Sequence, residues 1–364
     1  MNVRSQPSDP CDHPLDPRFI NVGGNEREQF FEPAMTTLVT GGAGYIGCHM
    51  VLELVAADEN VVVLDNLSAG FRWAVPPSAK LIVGDFGDND LVTDIITNQE
   101  IDSIIHFAAK TIVEESIVDP LGFYLENTAK TRTLIQCAVQ QGVRQFIFSS
   151  TAAVYGNPET EPVTEDELLK PISPYGRSKA MVEWILADAA KAHDLRYVIM
   201  RYFNVAGADP LGRVGQSTPK ATHLIKLAVQ AALGRRNGME VFGTDYATPD
   251  GSCVRDYIQV TDLARAHMDA LHYMRAGGEN LTCNCGYERG YSVLQVIEAV
   301  KNVSGVDFPV KICGRRAGDP AAIVASNARI KSTLGWNPKH DDLNEIIHQA
   351  LDWERYLVSG QGKQ

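Results

Sequence analysis

Short apolar runs alternate with longer helical stretches between residues 35 and 206 of the chain. The helical stretches include residues 121–141 and 174–193. The apolar runs predict six strands, at residues 37–40, 61–64, 81–83, 104–108, 146–150 and 197–202. Because strands and helices alternate one by one, we predict an α/β fold built on a doubly wound parallel sheet. In such a sheet, ligands bind beyond the carboxyl ends of the strands.

The alternating pattern is absent from the first 34 residues and loosens after residue 206. Residues 1–34 are rich in Pro, Asp, Asn, Gln and Arg, which predicts a flexible tail that buries too little surface to offset its ordering entropy. The elements after residue 206 are shorter and are separated by turns and by a loop with two arginines. We therefore predict a first domain at residues 35–206 and a smaller α/β lobe at residues 207–364.

Composition narrows the range of partners. The chain has 364 residues, of which 45% are hydrophobic, and a formal charge of -12, which disfavours nucleic acids and anionic membranes as partners. The seven cysteines are scattered, and Cys283 and Cys285 lack metal-binding spacing, so we predict reduced thiols, no metal site and a cytoplasmic location. No apolar run reaches membrane-spanning length, and the N-terminus lacks the order of a secretory signal.

A glycine-rich turn follows the first predicted strand. Residues 38–47 read LVTGGAGYIG, and Gly41, Gly44 and Gly47 allow a tight turn, a close approach of the backbone to a diphosphate and close packing of the next helix. The alternative is an ordinary glycine turn. The second predicted strand ends in Asp65, about where a dinucleotide-binding unit places its ribose-binding carboxylate. Such a carboxylate repels a 2'-phosphate, which favours NAD over NADP.

A tyrosine and a lysine lie one turn apart at a predicted helix start. Pro174 suits the first turn, and Tyr175 and Lys179 project from one face of the helix. A neighbouring ammonium stabilises a phenolate, which makes the tyrosine a usable base toward a sugar hydroxyl. Taken alone, such a pair is usually surface decoration, but the dinucleotide motif favours a catalytic pair.

Small hydroxyl side chains end the fifth predicted strand. Thr151 is placed to hydrogen-bond a reacting oxygen, and the alternative is a local cap at the strand end. Between Ser150 and Tyr155 there is no Asp or Glu. This loop therefore offers no carboxylate for the proton transfers that an elimination from a sugar needs.

Nine short segments carry a resemblance to a known family. They read TGGAGYIG, DNLS, HFAA, SSTAAVYG, SPYGRSK, RYFN, DGSCVRDYI, GYSV and GRRAGDP, in this order, between about Met35 and Tyr356. In these segments the chain resembles the extended short-chain dehydrogenase/reductases and, among them, enzymes that epimerise carbon 4 of UDP-sugars. The resemblance implies a Rossmann domain that binds NAD, a C-terminal lobe that binds a UDP-sugar, and a homodimer joined through residues 121–141 and 174–193.

The resemblance also implies roles for residues at matching positions. Tyr175 is the implied base, Lys179 its electrostatic helper, and Thr151, in place of the commoner serine, its hydrogen-bonding partner. The implied NAD-binding residues are Gly41, Gly44, Tyr45, Ile46, Gly47, Asp65, Asn66, Asp85, Phe86, Phe107, Ala108, Ala109, Asn127, Tyr175, Lys179 and Tyr202. The implied residues of the UDP-sugar site are Thr151, Tyr175, Asn204, His223, Leu224, Phe242, Arg255, Arg316 and Asp319.

Charged residues of the second lobe allow two interpretations. Arg255 and Arg316 can clamp a diphosphate through bidentate guanidinium groups, and the alternative is surface ion pairing. Asp256 and Asp262 are expected to orient loops or to cap the following helix rather than to act in catalysis.

Three positions depart from the family pattern. Thr111 stands where many relatives carry a lysine near the nicotinamide ribose, with Lys110 one place earlier. His223 replaces an asparagine near the sugar phosphate, and a helix-start role is the alternative to a ligand contact. Ile323 occupies the position associated with admitting an acetamido group and leaves the substrate range open.

The resemblance implies one reaction. A UDP-galactose and UDP-glucose pair is interconverted through a transient 4-keto sugar, with Tyr175 exchanging the proton of the 4-hydroxyl and NAD exchanging a hydride with carbon 4. Alternatives within enzymes are a 4-epimerase of UDP-N-acetylhexosamine or a UDP-pentose, a nucleotide-sugar dehydratase or decarboxylase, and a net oxidoreductase. An alternative from another class is a catalytically silent NAD-binding regulator.

Overall fold

The protein is described here from a computed structural model, which covers residues 35–218, 221–316 and 319–360. The predicted tail at residues 1–34 lies outside the described residues. Of the described part, the strands in chain order are β1 (Thr36–Thr40), β2 (Asn60–Asp65), β3 (Lys80–Val83), β4 (Ile101–His106), β5 (Gln145–Thr151), β6 (Arg196–Tyr202), β7 (Asn204–Ala206), β8 (Met239–Phe242), β9 (Val254–Gln259), β10 (Leu281–Cys285), β11 (Gly290–Ser292), β12 (Val310–Cys313) and β13 (Ala322–Ile323).

Helices separate most of these strands. One π-helical turn, Tyr124–Ala129, lies between α4 and α5, and short 3-10 turns lie at Arg72–Ala74 and Ala152–Val154. The α-helices within the described ranges are α1 (Tyr45–Ala56), α2 (Asn89–Asn98), α3 (Val113–Val118), α4 (Pro120–Phe123), α5 (Lys130–Gln140), α6 (Pro174–Ala192), α7 (Leu224–Ala232), α8 (Val260–Arg275), α9 (Val293–Ser304), α10 (Ala328–Leu334) and α11 (Leu343–Val358).

A seven-stranded sheet in the order β10-β6-β5-β4-β1-β2-β3 carries the predicted fold, and all its strand pairs are parallel. Its strands read as nearly continuous apolar runs because helices cover both faces of a parallel sheet. Successive strands run outward from β1 in one direction and from β4 in the other. The predicted doubly wound parallel sheet is confirmed, and its switch point lies between β1 and β4, where ligands collect in such folds.

Most predicted boundaries differ from the structure by one residue, and the fourth strand, which begins at residue 101 rather than 104, differs more. The fourth strand ends at His106 rather than at Ala108, because the amides of Phe107 and Ala108 both turn to the Thr40 carbonyl, at 3.0 and 3.2 Å. The helix predicted at residues 121–141 runs from Pro120 to Gln140 and includes the π-turn. Apolar spacing did not distinguish the π-turn because it shifts the helical register by only one residue.

A second, smaller set of strands follows β6. Here β9 pairs with β7 and β13 in parallel and with β11 in antiparallel orientation, and β8 pairs with β12 in parallel. Apolar faces of α7, α9 and α11 pack together beside these strands. The strand β10 joins the first sheet next to β6, and α8 packs on α1. The boundary at residue 207 remains a prediction, but one strand beyond it, β10, belongs to the seven-stranded sheet.

Among the described residues, no helix combines the length and the apolar character that crossing a membrane requires.

Candidate active site

The glycine-rich turn between β1 and α1 leaves no room for side chains at two positions. Gly41 has φ +73°, and a Cβ there would lie 2.6 Å from the Ala108 amide nitrogen. A Cβ at Gly47 would lie 2.2 Å from the Gly41 carbonyl oxygen. Gly44 is the N-cap of α1, and no side chain caps this helix. The turn therefore presents backbone at a helix N-terminus, a setting that suits a phosphate group.

Asp65 ends β2 beside this turn. Its Oδ2 accepts a hydrogen bond from the Ala43 amide at 3.0 Å, and its Oδ1 accepts from the Leu67 amide at 2.8 Å. The next residue, Asn66, accepts from the Ser68 amide at 3.0 Å. The two bonds fix the Asp65 carboxylate, which retains lone pairs for the hydroxyls of a ribose.

The other residues expected around a dinucleotide follow β3 and β4. Asp85 Oδ2 accepts from Lys130 Nζ at 2.6 Å, and its pKa is held low, against the effect of burial, by this lysine and the Gly87 amide. Phe86 packs its ring edge-on to His106. The expected set at this edge comprises Asp85, Phe86, Phe107, Ala108 and Ala109, which follow directly on the two strands.

Asn127 lies in the π-turn and is buried. Its side chain bonds both the amide and the carbonyl of Lys110, at 2.8 and 2.9 Å, and donates to Ser178 Oγ at 3.1 Å. It therefore joins the loop after β4 to α6. The Lys110 ammonium, in contrast, pairs with Asp119 at 3.4 Å.

The proposed base lies in the first turn of α6. Ser173 caps this helix by accepting from the Gly176 amide, and a Cβ at Gly176 would lie 2.5 Å from the Ala153 carbonyl oxygen. This close approach brings Tyr175 against the end of β5. Burial raises the pKa of Tyr175 to about 12, and a hydrogen bond with the Thr151 side chain opposes that rise.

Thr151 makes the local contact of a strand-end cap and also meets Tyr175, whereas a hydrogen bond from Thr151 to a reacting oxygen stays a prediction. Its Oγ1 accepts from the Ala153 amide at 3.2 Å, as a strand-end cap does, and its side chain also hydrogen-bonds Tyr175.

Lys179 is buried one turn further along α6. Its Nζ donates to the Ser149 carbonyl at 2.9 Å and lies 4.8 Å from the centre of the Phe148 ring. Burial lowers the pKa of Lys179 to about 7, and the charge of Glu183 raises it. The lysine therefore titrates near neutral pH.

Two residues that the sequence did not single out support this region. Ser149 Oγ lies 3.0 Å from His267 Nε2, and His267 Nδ1 donates to the Leu263 carbonyl at 2.9 Å. Burial lowers the pKa of His267 to about 4, so its Nε2 is free to accept from the serine. Tyr202 lies near both Tyr175 and Ser149, and burial is the main reason that its pKa is raised. The local pattern held no signal for His267, because α8 is remote in the chain.

Three expected substrate residues line one cavity. Asn204, His223 and Leu224 face it together with Gly207. The Gln216 side-chain amide donates to His223 Nδ1 at 2.6 Å. His223 is the N-cap residue of α7 but makes no side-chain cap bond, and its ring, held by Gln216 at Nδ1, lines the cavity.

Tyr45 connects the glycine-rich turn to this cavity. Its hydroxyl donates to the Gly207 carbonyl at 2.7 Å, and its ring lies edge-on to His223 with the centres 6.4 Å apart. Tyr45 therefore contacts the wall of the expected sugar site from the expected cofactor site.

The remaining expected substrate residues form a second group. Arg255 and Arg316 both pair with Asp319, at 3.7 and 3.3 Å, and the Arg316 guanidinium lies 4.3 Å from the centre of the Phe242 ring. Arg316 also pairs at 2.5 Å with Glu114, which the sequence did not single out. The two arginines thus lie close together, as a diphosphate clamp requires. They also make ion pairs with carboxylates, which is the alternative interpretation of these residues.

The two aspartates of the second lobe orient loops, as expected. Asp256 accepts from three backbone amides, including that of Ala325, and burial raises its pKa to about 6. Asp262 accepts from the amides of Lys339 and His340. The helix-capping alternative is wrong, because the side chain of Gln259 caps α8.

Ile323 is buried in an apolar cluster that includes Ala152 and Val154. It therefore packs against the loop that follows the proposed catalytic Thr151.

Comparison with known proteins places this geometry in a family. Residues 37–286 match the model of the NAD dependent epimerase/dehydratase family. The chain belongs to this family. The matched range begins at β1 and extends just past β10, so it includes every strand of the seven-stranded sheet.

The chain also matches individual proteins over most of their length. The chain is 52% identical to a UDP-glucose 4-epimerase of Azospirillum brasilense over 90% of this chain and 94% of the relative. A crystal structure of a Brucella ovis UDP-glucose 4-epimerase in complex with NAD has a TM-score of 0.85 at 42% identity, covering 88% of this chain and 98% of that one. A Campylobacter jejuni UDP-Glc/GlcNAc 4-epimerase has a TM-score of 0.78 at 45% identity, covering 88% and 99%.

Proposed function

We propose that this protein interconverts UDP-galactose and UDP-glucose by epimerisation at carbon 4, with NAD as its cofactor. The observation that carries the proposal is the position of Tyr175, whose buried phenol meets Thr151 at the carboxyl end of β5. The glycine-rich turn after β1 lies at the same edge of the parallel sheet. The named activity of the relatives supports the same reaction.

The residues present fit NAD. Gly41 and Gly47 leave a cradle that a Cβ would fill, and Asp65 is fixed where it can accept ribose hydroxyls while repelling a 2'-phosphate. NAD held by these residues would supply a reversible acceptor for the hydride of carbon 4. We assign the binding of the nicotinamide half to the ends of β4 and β5, with Lys179 and Tyr202 beside it.

In the proposed mechanism, Tyr175 exchanges the proton. Its phenolate takes the proton of the 4-hydroxyl, and Thr151 donates a hydrogen bond to the same oxygen as a transient 4-keto sugar forms. After the keto sugar has turned its other face toward the nicotinamide site, the phenol returns the proton to the 4-oxygen. Since burial raises the pKa of Tyr175 to about 12, a nearby positive charge must stabilise the phenolate, and we assign this role to Lys179.

The sugar must turn while its nucleotide stays in place. We assign the diphosphate to Arg255 and Arg316, which exchange the Asp319 carboxylate for phosphate oxygens, and the adjoining uridine to the residues around Phe242. Asn204, His223 and Leu224 line the cavity and complete the proposed site. A tightly held nucleotide and a loosely held hexose allow the keto sugar to present its other face.

A second candidate substrate is UDP-N-acetylglucosamine. The Campylobacter jejuni relative is named for both sugars, and Ile323 is smaller than an aromatic residue at the position that the family resemblance associates with the acetamido group. A UDP-pentose remains a further alternative.

One experiment tests the activity and separates the alternatives. Purified full-length protein is offered UDP-galactose, UDP-N-acetylgalactosamine and a UDP-pentose without added NAD, and the products are identified by NMR and mass spectrometry. We expect UDP-glucose from UDP-galactose with unchanged mass. Loss of water, loss of carbon dioxide or a change in oxidation level indicates a dehydratase, decarboxylase or oxidoreductase. Absence of turnover with bound NAD indicates a regulator.

We also propose a homodimer and a cytoplasmic location. The exposed faces of the α3–α6 region carry apolar side chains, which supports a self-contact through the helices that the family resemblance implied. The free cysteines of the described residues support a reducing compartment.

A further inference from the structure

A buried carboxylate lies one helical turn beyond Lys179. Glu183 has 4% of its side chain exposed, and its Oε1 accepts from Ser150 Oγ at 2.5 Å. Arg201 donates to both carboxylate oxygens, with its shortest bond of 2.6 Å from Nη2 to Oε2. Both oxygens of Glu183 are therefore bonded to side chains of neighbouring strands.

This carboxylate joins the three elements that carry the proposed catalytic residues. Ser150 directly precedes Thr151 on β5, and Arg201 directly precedes Tyr202 on β6. Glu183 belongs to α6 and bonds both strands. A change in its position therefore changes the spacing of β5, β6 and α6 next to the reacting groups.

Arg201, which pairs with Glu183, makes additional hydrogen bonds. Arg201 Nη1 donates to the Tyr155 hydroxyl at 3.0 Å and to the Glu165 carbonyl at 3.2 Å. The Tyr155 hydroxyl in turn donates to Asn284 Oδ1 on β10 at 2.6 Å. A buried ion pair needs such additional bonds to offset its desolvation, and together they hold the pair in one geometry.

We propose that Glu183 is a positioning residue: it holds β5, α6 and β6 in the spacing that the reaction requires and places a negative charge one helical turn from Lys179. This inference rests on the proposed function, since it assigns a role in that same reaction.

The charges around Lys179 support the electrostatic half of the inference. On β5, the lysine faces the Ser149 carbonyl and the Phe148 ring. On β4 it faces His106, whose pKa is lowered by burial and by Lys179 and which is therefore neutral at pH 7. On its own helix, Glu183 raises the pKa of Lys179, which burial lowers to about 7.

The sign of the pH effect follows from these contacts. Lys179 assists the Tyr175 phenolate only when protonated, so this assistance is present below the pKa of Lys179 and is lost as the pH rises through it. Removing the negative charge of Glu183 lowers that pKa further. The loss of activity then begins at a lower pH. Burial raises the pKa of both Tyr175 and Tyr202, and deprotonation of the Tyr175 base favours the reaction, so neither phenol accounts for an alkaline fall of activity.

The test compares two isosteric changes of carboxylates that each pair with an arginine. Glu183→Gln removes the charge near the site, and Glu59→Gln removes an equivalent charge at the opposite edge of the sheet. Glu59 pairs with Arg275 at 2.6 Å with 13% and 10% of the side chains exposed, and Arg275 bonds Thr37 at the start of β1. Rates are measured by the NMR assay between pH 5.5 and 9, together with Tm and bound NAD.

We expect Glu183→Gln to lower kcat about tenfold or more at pH 7.5 with KM within about threefold, and to move the alkaline fall of kcat toward lower pH. Glu59→Gln should lower Tm without moving the pH profile. Equal kcat and equal pH profiles for the two variants overturn the inference. Lack of turnover in the unchanged protein instead refutes the proposed function.

A double variant separates charge from stability. Glu183→Gln with Arg201→Met removes the guanidinium that the single change leaves unpaired, so Tm should recover toward that of the unchanged protein. A kcat and a pH profile that stay altered at recovered Tm support the inference. Recovery of kcat and pH profile along with Tm shows a structural role only and overturns it. The double variant also serves if the single variant does not fold.

Discussion

At the scale of single residues, the central problem is a tyrosine that burial makes a weak acid. A pKa of about 12 for Tyr175 means that its phenolate costs about 7 kcal/mol at pH 7. Thr151 offsets part of this cost through its hydrogen bond. Positive charge must supply the rest, and Lys179 is buried one turn away on the same helix. The proposed catalysis thus depends on charges in a site from which water is largely excluded.

Tyr175→Phe tests the base directly. Removing the hydroxyl leaves the ring that fills the site, so we expect KM for UDP-galactose to stay within about threefold while kcat falls about 1,000-fold or more, as for loss of a general acid-base group. The NMR assay measures kcat and KM, and a titration with UDP measures nucleotide binding. Tyr197→Phe, at the far end of β6, is the matched control and should keep its rate. Normal turnover in the Tyr175 variant would exclude the assigned role.

At the scale of elements, two close backbone approaches place the chemistry. The glycine-rich turn packs on the loop after β4, and the first turn of α6 packs on the Ala153 carbonyl because Gly176 has no side chain. Each approach brings a helix N-terminus to the edge of the sheet. The contact between Tyr175 and Thr151 therefore depends on a neighbouring glycine as much as on the two residues themselves.

Gly176→Ala tests that dependence. The added Cβ would lie 2.5 Å from the Ala153 carbonyl oxygen, so α6 must shift away from β5. We expect kcat to fall about tenfold or more while bound NAD is retained. Gly142→Ala is the control, since Gly142 has φ +76° and no atom within 4 Å. It should cost about 1 kcal/mol of stability without changing kcat. Wild-type kcat in Gly176→Ala would contradict this account.

At the scale of the whole molecule, one surface region carries several exposed apolar side chains. Val118 and Leu121 are 87% and 78% exposed, Leu125 lies one turn further, and Trp184 is exposed on α6. These helices pack on one another. Patches of this kind mark interaction surfaces, and a symmetric self-contact is the commonest arrangement for oligomers.

Leu121→Glu tests the proposed homodimer. A charge buried in a self-contact is strongly unfavourable, so we expect sedimentation to change from twice 39.8 kDa to the mass of one chain. Leu211→Glu is the matched control, because Leu211 is 77% exposed in a turn after β7. A dimer that persists in the Leu121 variant, or a monomer before any change, would refute this surface as the contact.

Prediction from the sequence reached the features that are local in the chain. The order of β1 to β6, the glycine-rich turn, Asp65 at the end of β2 and the pair Tyr175 and Lys179 on one helix each follow from spacing within a few residues. Most bounds were off by one residue, whereas β4 begins three residues and ends two residues earlier than predicted, the end because the amides of Phe107 and Ala108 turn to the Thr40 carbonyl. The roles assigned to these residues remain predictions.

The features that the sequence pattern missed join residues far apart in the chain. The strand β10 completes the first sheet beside β6, although it follows β6 only after several other elements. His267 contacts Ser149, and Glu114 pairs with Arg316, each across more than a hundred residues of the chain. Glu183 had a local signal, since it continues the four-residue spacing of Tyr175 and Lys179, but its role depends on its partners on β5 and β6.

The amino-acid sequence by itself determined the first six strands, the glycine-rich turn and the helix that carries Tyr175 and Lys179, because periodicity, caps and glycine turns act over a few residues. Only the tertiary structure decided which groups share a buried environment, and hence the pKa values of Tyr175 and Lys179. Burial and pairing are properties of neighbours in space, and the spacing of residues along the chain does not contain them.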